Sequence, residues 1–583
     1  MKRILFFVHY NKYNGLSDYV TYLLEHIKYI YDRIIFISNS PISDDNLKKI
    51  KDSCNDIIFR ENKGFDFGAW KDALLKEGWE KLSQFDSVTL MNDSCFGPIF
   101  DLKDIYINME QKNIDFWGLT LHKKTKNGMP GSNAPILEHI QSYFMCFNKS
   151  VVSSNLFFEF WNNVEYLDDV NKVISCYETK LTILLSNNGF KYSVKYSLNN
   201  KSDIKNNDIA TWHPDIIIQN GIPFIKIKSF IYFPYQKYII DLIQNKSSYP
   251  IELIYNHVTE VFNPNLSLQI CNKLVPAIPV NENISSTSVA IHLHTYYLDV
   301  FEIYLNYFNN ISIDFDLFIT TDTLDKKKKI KDYLKNTNAE KHLKDLIVTE
   351  NKGRDILPWL KISDVLNKYD IVGHFHTKKT IFNEEWKGKT WLQDIIDLLL
   401  LPINKIIDEF NKNSNLGIII PEIPVCYQLN PSLLEKKEQF LLCSTLNKMW
   451  EKSNCKKVLD FFTLKTILMP YGNMFWYRPS SLQSLFQMKL TSDDFSAEPI
   501  KNNLTTVHFI ERLLVYFAWN NGFDYRIMFF YPPKICTFVE HEILSDTFYS
   551  IKHSKSYRIG QLILFFPKML TKFIKIFFQR KNK

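Results

Sequence analysis

The 583-residue sequence contains few cysteines and no long apolar run. Its nine cysteines are scattered and no two are spaced C-x-x-C, which argues against a zinc ribbon and against a secreted disulfide framework. No segment approaches the roughly 20 apolar residues that a membrane-spanning helix needs. The first apolar run ends at His9, too soon for a signal peptide, and indicates a buried strand. We therefore expect reduced thiols and a cytoplasmic protein, soluble or peripheral to a membrane.

Positive charge is concentrated at one end of the chain. The formal charge is +7, with 45% hydrophobic and 23% charged residues, a composition that excludes a disordered or collagen-like chain. Residues 551–583 contain nine basic residues and no acidic one, which leaves 61 basic against 63 acidic residues elsewhere. We therefore expect no nucleic-acid partner, and we expect any electrostatic partner to meet the tail.

The chain contains an internal repeat. Residues 61–70 match residues 350–359, with identical Glu, Asn, Lys, Gly, Asp and Trp. Two apolar, β-rich runs precede each segment, and the first run ends in a histidine in both copies, at His9 and His294. The histidine at the end of the first run and the matching segment are two markers that occur in the same order in both copies. With the two further markers described below, they predict a tandem duplication.

Two further markers follow in each copy. Residues 85–94 match residues 369–378: an aromatic-Asp pair precedes a strand whose last residues are polar. Glu178 and Glu511 each stand nine residues before an Asn-Asn-Gly-Phe segment. The second copy is longer between these markers, and a helical insertion at about 428–469 accounts for the difference.

Strands alternate with helical stretches in each copy, which predicts a mostly parallel sheet flanked by helices. The fold class is therefore α/β, with two tandem Rossmann-like domains and a C-terminal basic amphipathic helix. The predicted boundaries are a first domain at 1–235, a helical connector and linker at 236–288, a second domain at 289–545 and a tail at 546–583.

The best-preserved positions of the repeat are polar and follow predicted strands, where ligands bind in open α/β sheets. Neither copy contains G-x-G-x-x-G or a P-loop motif. Asn-Lys-Gly is also a plain turn signal, but the Asp two residues later, kept in both copies, favours a ligand contact. The candidate ligand-binding residues are His9, Asn62, Gly64, Asp66, Asn92 and Asp93 in the first copy, and His294, Asn351, Gly353, Asp355, His374, His376, Lys378 and Lys379 in the second.

The two copies differ in the chemistry of one strand end. Asp93 is either a capping residue or a ligand for a divalent cation that bridges a diphosphate. The second copy has no carboxylate in this place, but it has His374 and His376, which share one face of a strand. These imidazoles either bind a transition metal or donate hydrogen bonds to phosphate, and we favour phosphate.

Glu178 and Glu511 each stand at or near the start of a helical stretch. One interpretation is a favourable first-turn acid on the helix dipole. The other is a general base that faces the crevice of the sheet.

Together these motifs resemble the nucleotide-sugar glycosyltransferases of the GT-A fold and, more closely, the rhamnan synthesis protein F family. The resemblance covers about residues 1–545. It is carried in the first half by residues 62–70 and 91–98, and in the second by His292-Leu-His294 and residues 351–359, 374–379, 472–479 and 508–512.

The resemblance implies inverting transfer of a sugar, typically from dTDP-L-rhamnose, to a lipid-linked cell-surface polysaccharide. Glu178 or Glu511 would take the proton of the acceptor hydroxyl. Asp93 with Mg²⁺ or Mn²⁺ would stabilise the leaving diphosphate in the first domain. Lys378, Lys379 and the histidines would do so in the second, where a metal-dependent and a metal-independent site are both open alternatives. Two alternatives are open: both copies are active, or one copy is active and the other is degenerate.

Residues 474–477 and their counterpart, residues 144–147, are aromatic-rich. They predict either an aromatic wall beside the sugar or a buried strand.

The tail presents Lys568, Lys572 and Lys575 on one helical face among Leu, Ile and Phe. This pattern is typical of an interfacial helix on an anionic membrane, here the inner face of a bacterial plasma membrane. A helix that docks on the protein itself is the alternative.

Two other functions are compatible with parts of the sequence. One is a metal-dependent hydrolase that uses His292, His294, His374 and His376. The other is a non-catalytic scaffold that binds glycans.

Overall fold

A computed structural model describes residues 1–125, 135–198, 208–280, 287–379, 385–428, 436–498, 500 and 504–535. These residues belong to two compact units. The first is Met1–Asn272, and the second begins at Lys273.

The first unit contains a mixed sheet with the strand order β3-β2-β1-β4-β8-β6-β7, in which β9 also pairs with β6. Its strands are β1 (Arg3–His9), β2 (Arg33–Ser38), β3 (Asp56–Phe59), β4 (Ser87–Asn92), β5 (Cys95–Phe96), β6 (Phe116–His122), β7 (His139–Ile140), β8 (Phe144–Asn148), β9 (Tyr192–Tyr196) and β10 (Ile225–Lys226). Strands β1 to β4 are parallel, and β8 is antiparallel to both of its neighbours. Strands β5 and β10 form a separate pair.

Helices cover this sheet: α1 (Asp18–Ile27), α2 (Asp44–Ile50), α3 (Phe65–Glu77), α4 (Trp79–Leu82), α5 (Lys103–Glu110), α6 (Lys149–Val152), α7 (Asn155–Asn162), α8 (Val170–Val173), α9 (Thr179–Asn187), α10 (Ile209–Trp212), α11 (Pro214–Gln219), α12 (Ser229–Tyr232), α13 (Gln236–Lys246), α14 (Glu252–Val261) and α15 (Pro264–Ile270). A 3₁₀ turn (Lys28–Ile30) follows α1, and one π-helical turn (Ile174–Glu178) joins α8 to α9. Alternate residues of β1 enter separate cores: Leu5 and Phe7 face one core, whereas Ile4, Phe6 and Val8 face the other.

The segment predicted as a connector is part of the first unit. Ile239, Ile243, Ile254 and Val258 on α13 and α14 are buried in the same core as Leu5. The apolar faces of these helices therefore need the first sheet, and the two compact units divide after Asn272. Of the predicted linker, residues 281–286 lie outside the described part of the chain.

The second unit contains the strand order β11-β18-β16-β17-β15-β12-β13-β14. These strands are β11 (Leu274–Pro276), β12 (Val289–His294), β13 (Asp316–Thr321), β14 (Leu343–Val348), β15 (Ile371–His376), β16 (Leu416–Pro421), β17 (Phe475–Tyr477) and β18 (Asp524–Phe529).

The helices of the second unit are α16 (Leu298–Phe308), α17 (Leu324–Leu334), α18 (Ile356–Lys361), α19 (Ser363–Leu366), α20 (Glu385–Leu399), α21 (Ile403–Lys412), α22 (Val425–Gln428), α23 (Lys436–Lys452), α24 (Gln483–Phe486) and α25 (Thr506–Asn520). Its 3₁₀ turns are Asn338–His342, Phe461–Thr463, Pro479–Leu482 and Ser492–Asp494. Within the predicted insertion at 428–469, α23 is helical, and residues 429–435 lie outside the described chain.

The two sheets have one topology. The order β3-β2-β1-β4-β8-β6-β9 corresponds to β14-β13-β12-β15-β17-β16-β18, and β8 and β17 are the antiparallel strands. The predicted α/β fold with two mostly parallel sheets is therefore confirmed.

The strand pairing corrects one alignment within the repeat. Val8 pairs with Asn92 in the first sheet, and His294 pairs with His376 in the second. The backbone N–H groups of the next residues, Asp93 and Thr377, donate to the carbonyls of Val8 and His294 respectively. The counterpart of His294 is thus Val8, one residue before His9. Successive residues of a strand face opposite sides of the sheet. His9 therefore faces the side of the first sheet opposite to Val8, whereas His294 faces the side of the second sheet that corresponds to Val8.

The predicted amphipathic tail, residues 546–583, lies outside the described chain, which ends at residue 535. Across the described ranges, no helix combines the length and the apolar character required to cross a membrane. The eight described cysteines are free thiols.

Candidate functional site

A chain of buried histidines lies at the carboxyl edge of the second sheet. The rings of His292 and His374 are joined Nδ1 to Nδ1 at 3.0 Å. His292 Nε2 and His294 Nδ1 each lie 2.9 Å from Thr320 Oγ1. On the far side, His374 Nε2 lies 3.1 Å from Asp355 Oδ2. Both ring nitrogens of His292 and of His374 are therefore bonded within the protein.

This arrangement bears on the two interpretations of the His-x-His motifs. His292 and His374 are fully buried, and their nitrogens have no vacancy for a metal or a phosphate. No cluster of three or more His, Cys, Asp or Glu suited to a metal ion occurs among the residues that the structure describes. The histidine pair instead acts as a support for Asp355.

Asp355 is held as a carboxylate. It accepts a hydrogen bond from the side-chain amide of Asn473, and its Oδ1 lies 3.9 Å from His376 Nε2. Burial raises the pKa of Asp355, but the charge of His376 and the hydrogen bonds from His374 and Asn473 outweigh burial, so the pKa is well below its usual range. Asn473 adopts a left-handed conformation, with φ 55°. Asp355 is therefore an anion in a fixed orientation.

The two candidate bases make corresponding contacts. Glu511 Oε1 on α25 accepts the backbone N–H of Gly472 at 2.9 Å. Glu178 Oε1, at the end of the π-helical turn, accepts the backbone N–H of Ser142 at 2.9 Å. The pairing of β8 and β17 makes Ser142 and Gly472 equivalent positions. Both glutamates thus connect their helix to the segment that leads into the antiparallel strand.

A strained turn precedes the repeated Asp in both copies. Gly64 and Phe65 have φ of 71° and 52°, and Gly353 and Arg354 have φ of 68° and 50°. A Cβ on Gly353 would come within 2.7 Å of the Leu357 Cβ, so only glycine fits. Left-handed backbone is costly for a side chain such as Arg and is found where the surroundings enforce it, often at functional sites. This turn determines where the side chain of residue 65 or 354 is presented.

In the first unit, Asp66 and Asp93 occupy the corresponding edge. Asp66 Oδ2 accepts from the Asn92 amide at 2.7 Å, and Asp93 Oδ2 accepts from the Tyr10 N–H at 2.9 Å. Burial raises the pKa of Asp66 to about 6. Burial, with a contribution from the charge of Asp66, raises the pKa of Asp93 to about 8. The oxygens of the two carboxyl groups are hard donors of the kind that Mg²⁺ and Mn²⁺ accept, whereas the amide oxygen of Asn92 already accepts from the N–H and the hydroxyl of Ser94.

Two other first-unit candidates have structural partners. The Asn62 Oδ1 accepts from the Asn39 amide at 3.1 Å. His9 Nδ1 lies 3.0 Å from Ser38 Oγ, and its ring stacks on Phe36. Since Phe36 belongs to the core on the opposite face from Phe6 and Val8, His9 is not brought together with Asp66.

The two predicted lysines of the second unit have different environments. The Lys378 ammonium lies over the Trp391 ring at 3.7 Å from its centroid. Burial lowers the pKa of Lys378, and the carboxylates of Glu511 and Asp355 oppose this effect. Lys379 is more exposed and forms an ion pair with Asp299. Lys378 is therefore the lysine that belongs to the site.

Sequence reasoning missed residues that complete this site. His508 Nε2 lies 3.4 Å from Arg354 Nη1, and Arg512 Nη1 donates to the His508 carbonyl at 2.7 Å. None of these residues is repeated in the first copy, so the repeat could not find them. Their positions in the sequence could have identified them, because Arg354 precedes Asp355 and because His508 and Arg512 flank Glu511. Asn473 directly follows Gly472, and this pair is a similar signal.

Two mostly parallel sheets with polar side chains at their carboxyl edges define an α/β protein of the class in which ligands generally bind beyond the strand ends. The family model described as "Rhamnan synthesis protein F" matches residues 34–523. The chain belongs to this family.

Curated relatives match parts of the chain. The uncharacterized protein y4gN of Sinorhizobium fredii is 29% identical over 183 residues, which is 31% of this chain and 46% of that protein. The uncharacterized protein WxcX of Xanthomonas campestris is 26% identical over 41% of this chain and 33% of its own. The virulence protein VirA of Vibrio anguillarum is 30% identical over 25% of this chain and 44% of its own. The chain thus spans less than half of the length of these relatives.

Two solved glycosyltransferase structures are also similar. The glycosyltransferase GlyE of Streptococcus pneumoniae aligns with 65% of this chain and 87% of its own, at 11% identity and a TM-score of 0.22. The mannosyltransferase Ktr4p of S. cerevisiae aligns with 28% of this chain and 59% of its own, at 8% identity and a TM-score of 0.18. Both TM-scores are low, so the family assignment is based on the family model alone.

Proposed function

We propose that this protein transfers a sugar from a nucleotide donor to a glycan by an inverting single displacement, with Glu511, Glu178 or both as general base. The observation that carries the proposal is the pair of glutamates. They occupy equivalent positions at the carboxyl edges of two sheets, and each uses Oε1 for an equivalent backbone N–H. Membership of the rhamnan synthesis protein F family supports dTDP-L-rhamnose as the donor and a lipid-linked cell-surface polysaccharide as the acceptor.

Sugar transfer needs a base that takes the proton of the attacking hydroxyl and a group that stabilises the negative charge of the leaving diphosphate. A positioned carboxylate contributes roughly 10²- to 10⁴-fold in rate when it takes the proton of the attacking hydroxyl. In the first unit, Asp93 and Asp66 would hold a divalent cation, which supplies electrostatic stabilisation of the leaving group. In the second unit, Lys378 would meet the diphosphate directly. The protein would act at the inner face of the plasma membrane, attached through its basic tail.

Glutamine variants test the base directly. Glu178→Gln and Glu511→Gln retain an oxygen that accepts the backbone N–H, so a purely structural role predicts full activity. A role as base predicts a loss of roughly 10²-fold or more. Full-length protein would be assayed against a panel of nucleotide sugars, with and without EDTA, and each variant would be assayed with the donor that is used. Retention of wild-type turnover by both variants would refute the assignment.

A further inference from the structure

The second unit carries a group of positive charges that has no counterpart in the first. We refer to Arg354, Lys378 and Arg512 as the cation cluster. The repeat places Phe65, Ser94 and Thr179 in the equivalent positions, as the shared turn, the strand pairing and the two glutamates show. The position of Asp93 is taken by Thr377. Compared with the carboxyl edge of the first sheet, the carboxyl edge of the second sheet therefore has one carboxylate fewer and three cations more.

His508 lies at the centre of the cation cluster and joins two of its members. Arg354 Nη1 donates to His508 Nε2 at 3.4 Å, so that Nδ1 carries the proton and faces Thr505 Oγ1 at 2.8 Å. Arg512 Nη1 donates to the carbonyl of His508 at 2.7 Å. Burial, together with the charges of Arg354, Arg512 and Lys378, lowers the pKa of His508 to about 4. His508 thus contacts Arg354 through a neutral ring and Arg512 through its backbone carbonyl.

The positive charge of the cluster is not balanced by ion pairs. Among the ion pairs of the described residues, Asp355 pairs with His374 and His376 and none involves Arg354, Lys378 or Arg512, although the charges of Glu511 and Asp355 act on Lys378. Asp355 is close, but its oxygens accept from His374 and Asn473. Glu511 accepts from the Gly472 N–H. Arg354 is exposed, and Lys378 and Arg512 are partly so, so all three remain available to an anion.

We propose that Arg354, Lys378 and Arg512 bind a diphosphate group at the second sheet without a divalent cation. The proposal rests on the proposed function for the origin of the diphosphate. Guanidinium groups bind phosphate oxygens in bidentate fashion, and an ammonium adds a point charge. The strained turn at Gly353 and Arg354 presents the first guanidinium beyond the strand ends. A diphosphate at this edge has two sources, a nucleotide sugar and a lipid diphosphate acceptor.

Binding of dTDP to the full-length chain, measured by calorimetry in the presence of EDTA, tests the proposal. Arg354→Ala and Arg512→Ala should each weaken the affinity about tenfold or more, because each removes a charge-assisted contact. Arg354→Lys, which keeps the charge but loses the bidentate contact, should weaken the affinity less than Arg354→Ala. Lys335→Ala, which removes an exposed lysine paired with Asp332, is the matched control. Thermal melting of each variant checks folding, and the first copy already accepts an uncharged residue in this turn, at Phe65.

The possible results separate the proposals. Unchanged dTDP affinity in both alanine variants, or binding that requires Mg²⁺, would overturn the cation cluster as a metal-free site even if sugar transfer is observed. Loss of affinity in the variants would support it even if no nucleotide sugar is turned over. Geranyl diphosphate is the second arm of the measurement. If it binds and dTDP does not, the cluster takes the lipid diphosphate, and the reverse result assigns it to the nucleotide donor.

Discussion

At the scale of single residues, burial sets the charge of the second site. Burial lowers the pKa of His294 to about 4. Burial also lowers the pKa of His292 and of His374. These rings are neutral in the folded protein at neutral pH, and Asp355 is ionised. At neutral pH the hydrogen bonds from His292 to His374 and from His374 to Asp355 therefore join neutral rings to a carboxylate.

The lowered histidine pKa values predict a loss of stability in acid. Between the unfolded pKa near 6.5 and the folded pKa near 4, the unfolded chain binds the proton and the folded chain does not. Stability should therefore fall as the pH falls through this window, by up to about 1.4 kcal/mol per pH unit for one histidine. Urea titrations between pH 7 and pH 4.5 measure the free energy of unfolding at each pH. His294→Val, which installs the residue of the first copy, should reduce the slope, and an unchanged slope would contradict the explanation.

At this scale the repeat in the sequence identified much of the candidate site and missed part of it. Asp66, Asp355, Glu178 and Glu511 follow from identity between the copies. His9 was aligned with His294 because both end an apolar run, but the pairing of neighbouring strands, which the sequence does not contain, moves the match to Val8.

At the scale of elements, the turn before α3 and α18 is the feature that both copies preserve most closely. Each copy has two consecutive left-handed residues, and a helix begins beside the repeated Asp, at the second of them (Phe65) in the first copy and at Ile356 in the second. The sequence predicted a turn from Asn-Lys-Gly, but the second left-handed residue was not predictable, because neither Phe nor Arg favours that conformation. Packing of the following helix on the sheet enforces it.

Two glycine variants separate backbone strain from packing. Gly353→Ala should destabilise the protein by about 2–4 kcal/mol, since a left-handed alanine is strained and its Cβ would come within 2.7–2.8 Å of Leu357 and Phe495. Gly522→Ala is the matched control. Gly522 has φ 86° and no atom within 4 Å of the added Cβ, so it should cost only about 1 kcal/mol. Thermal melting compares the two, and equal losses would show that crowding at Gly353 is unimportant.

At the scale of the whole molecule, the duplicated fold was predictable and the boundary between its halves was not. Alternation of strands and helices, with four repeated markers, indicated two α/β domains. Helices α13 to α15 follow the first copy in the sequence and match no segment of the second copy. The sequence therefore predicts that they form a connector. Their apolar faces contribute Ile239 and Val258 to the first core, and only the packing reveals this.

The basic tail predicts attachment to anionic membranes. Removal of residues 551–583 takes away nine positive charges, each worth about 1 kcal/mol near an anionic surface. The shortened protein should no longer sediment with vesicles that contain phosphatidylglycerol, whereas the full chain should. Vesicles of neutral lipid serve as the control. Equal sedimentation of the two proteins with anionic vesicles would refute the anchor.

The polar layer at the second sheet also restricts how the two halves can have diverged. His292, His294, Thr320 and His374 occupy the positions of Phe6, Val8, Ile37 and Leu90. Any one of these exchanges alone leaves a buried polar group without its partner, at a cost of about 1–3 kcal/mol. The four substitutions are therefore energetically coupled, and a sequence that carries only some of them is less stable than either complete layer. The polar layer of the second sheet thus resists replacement one residue at a time.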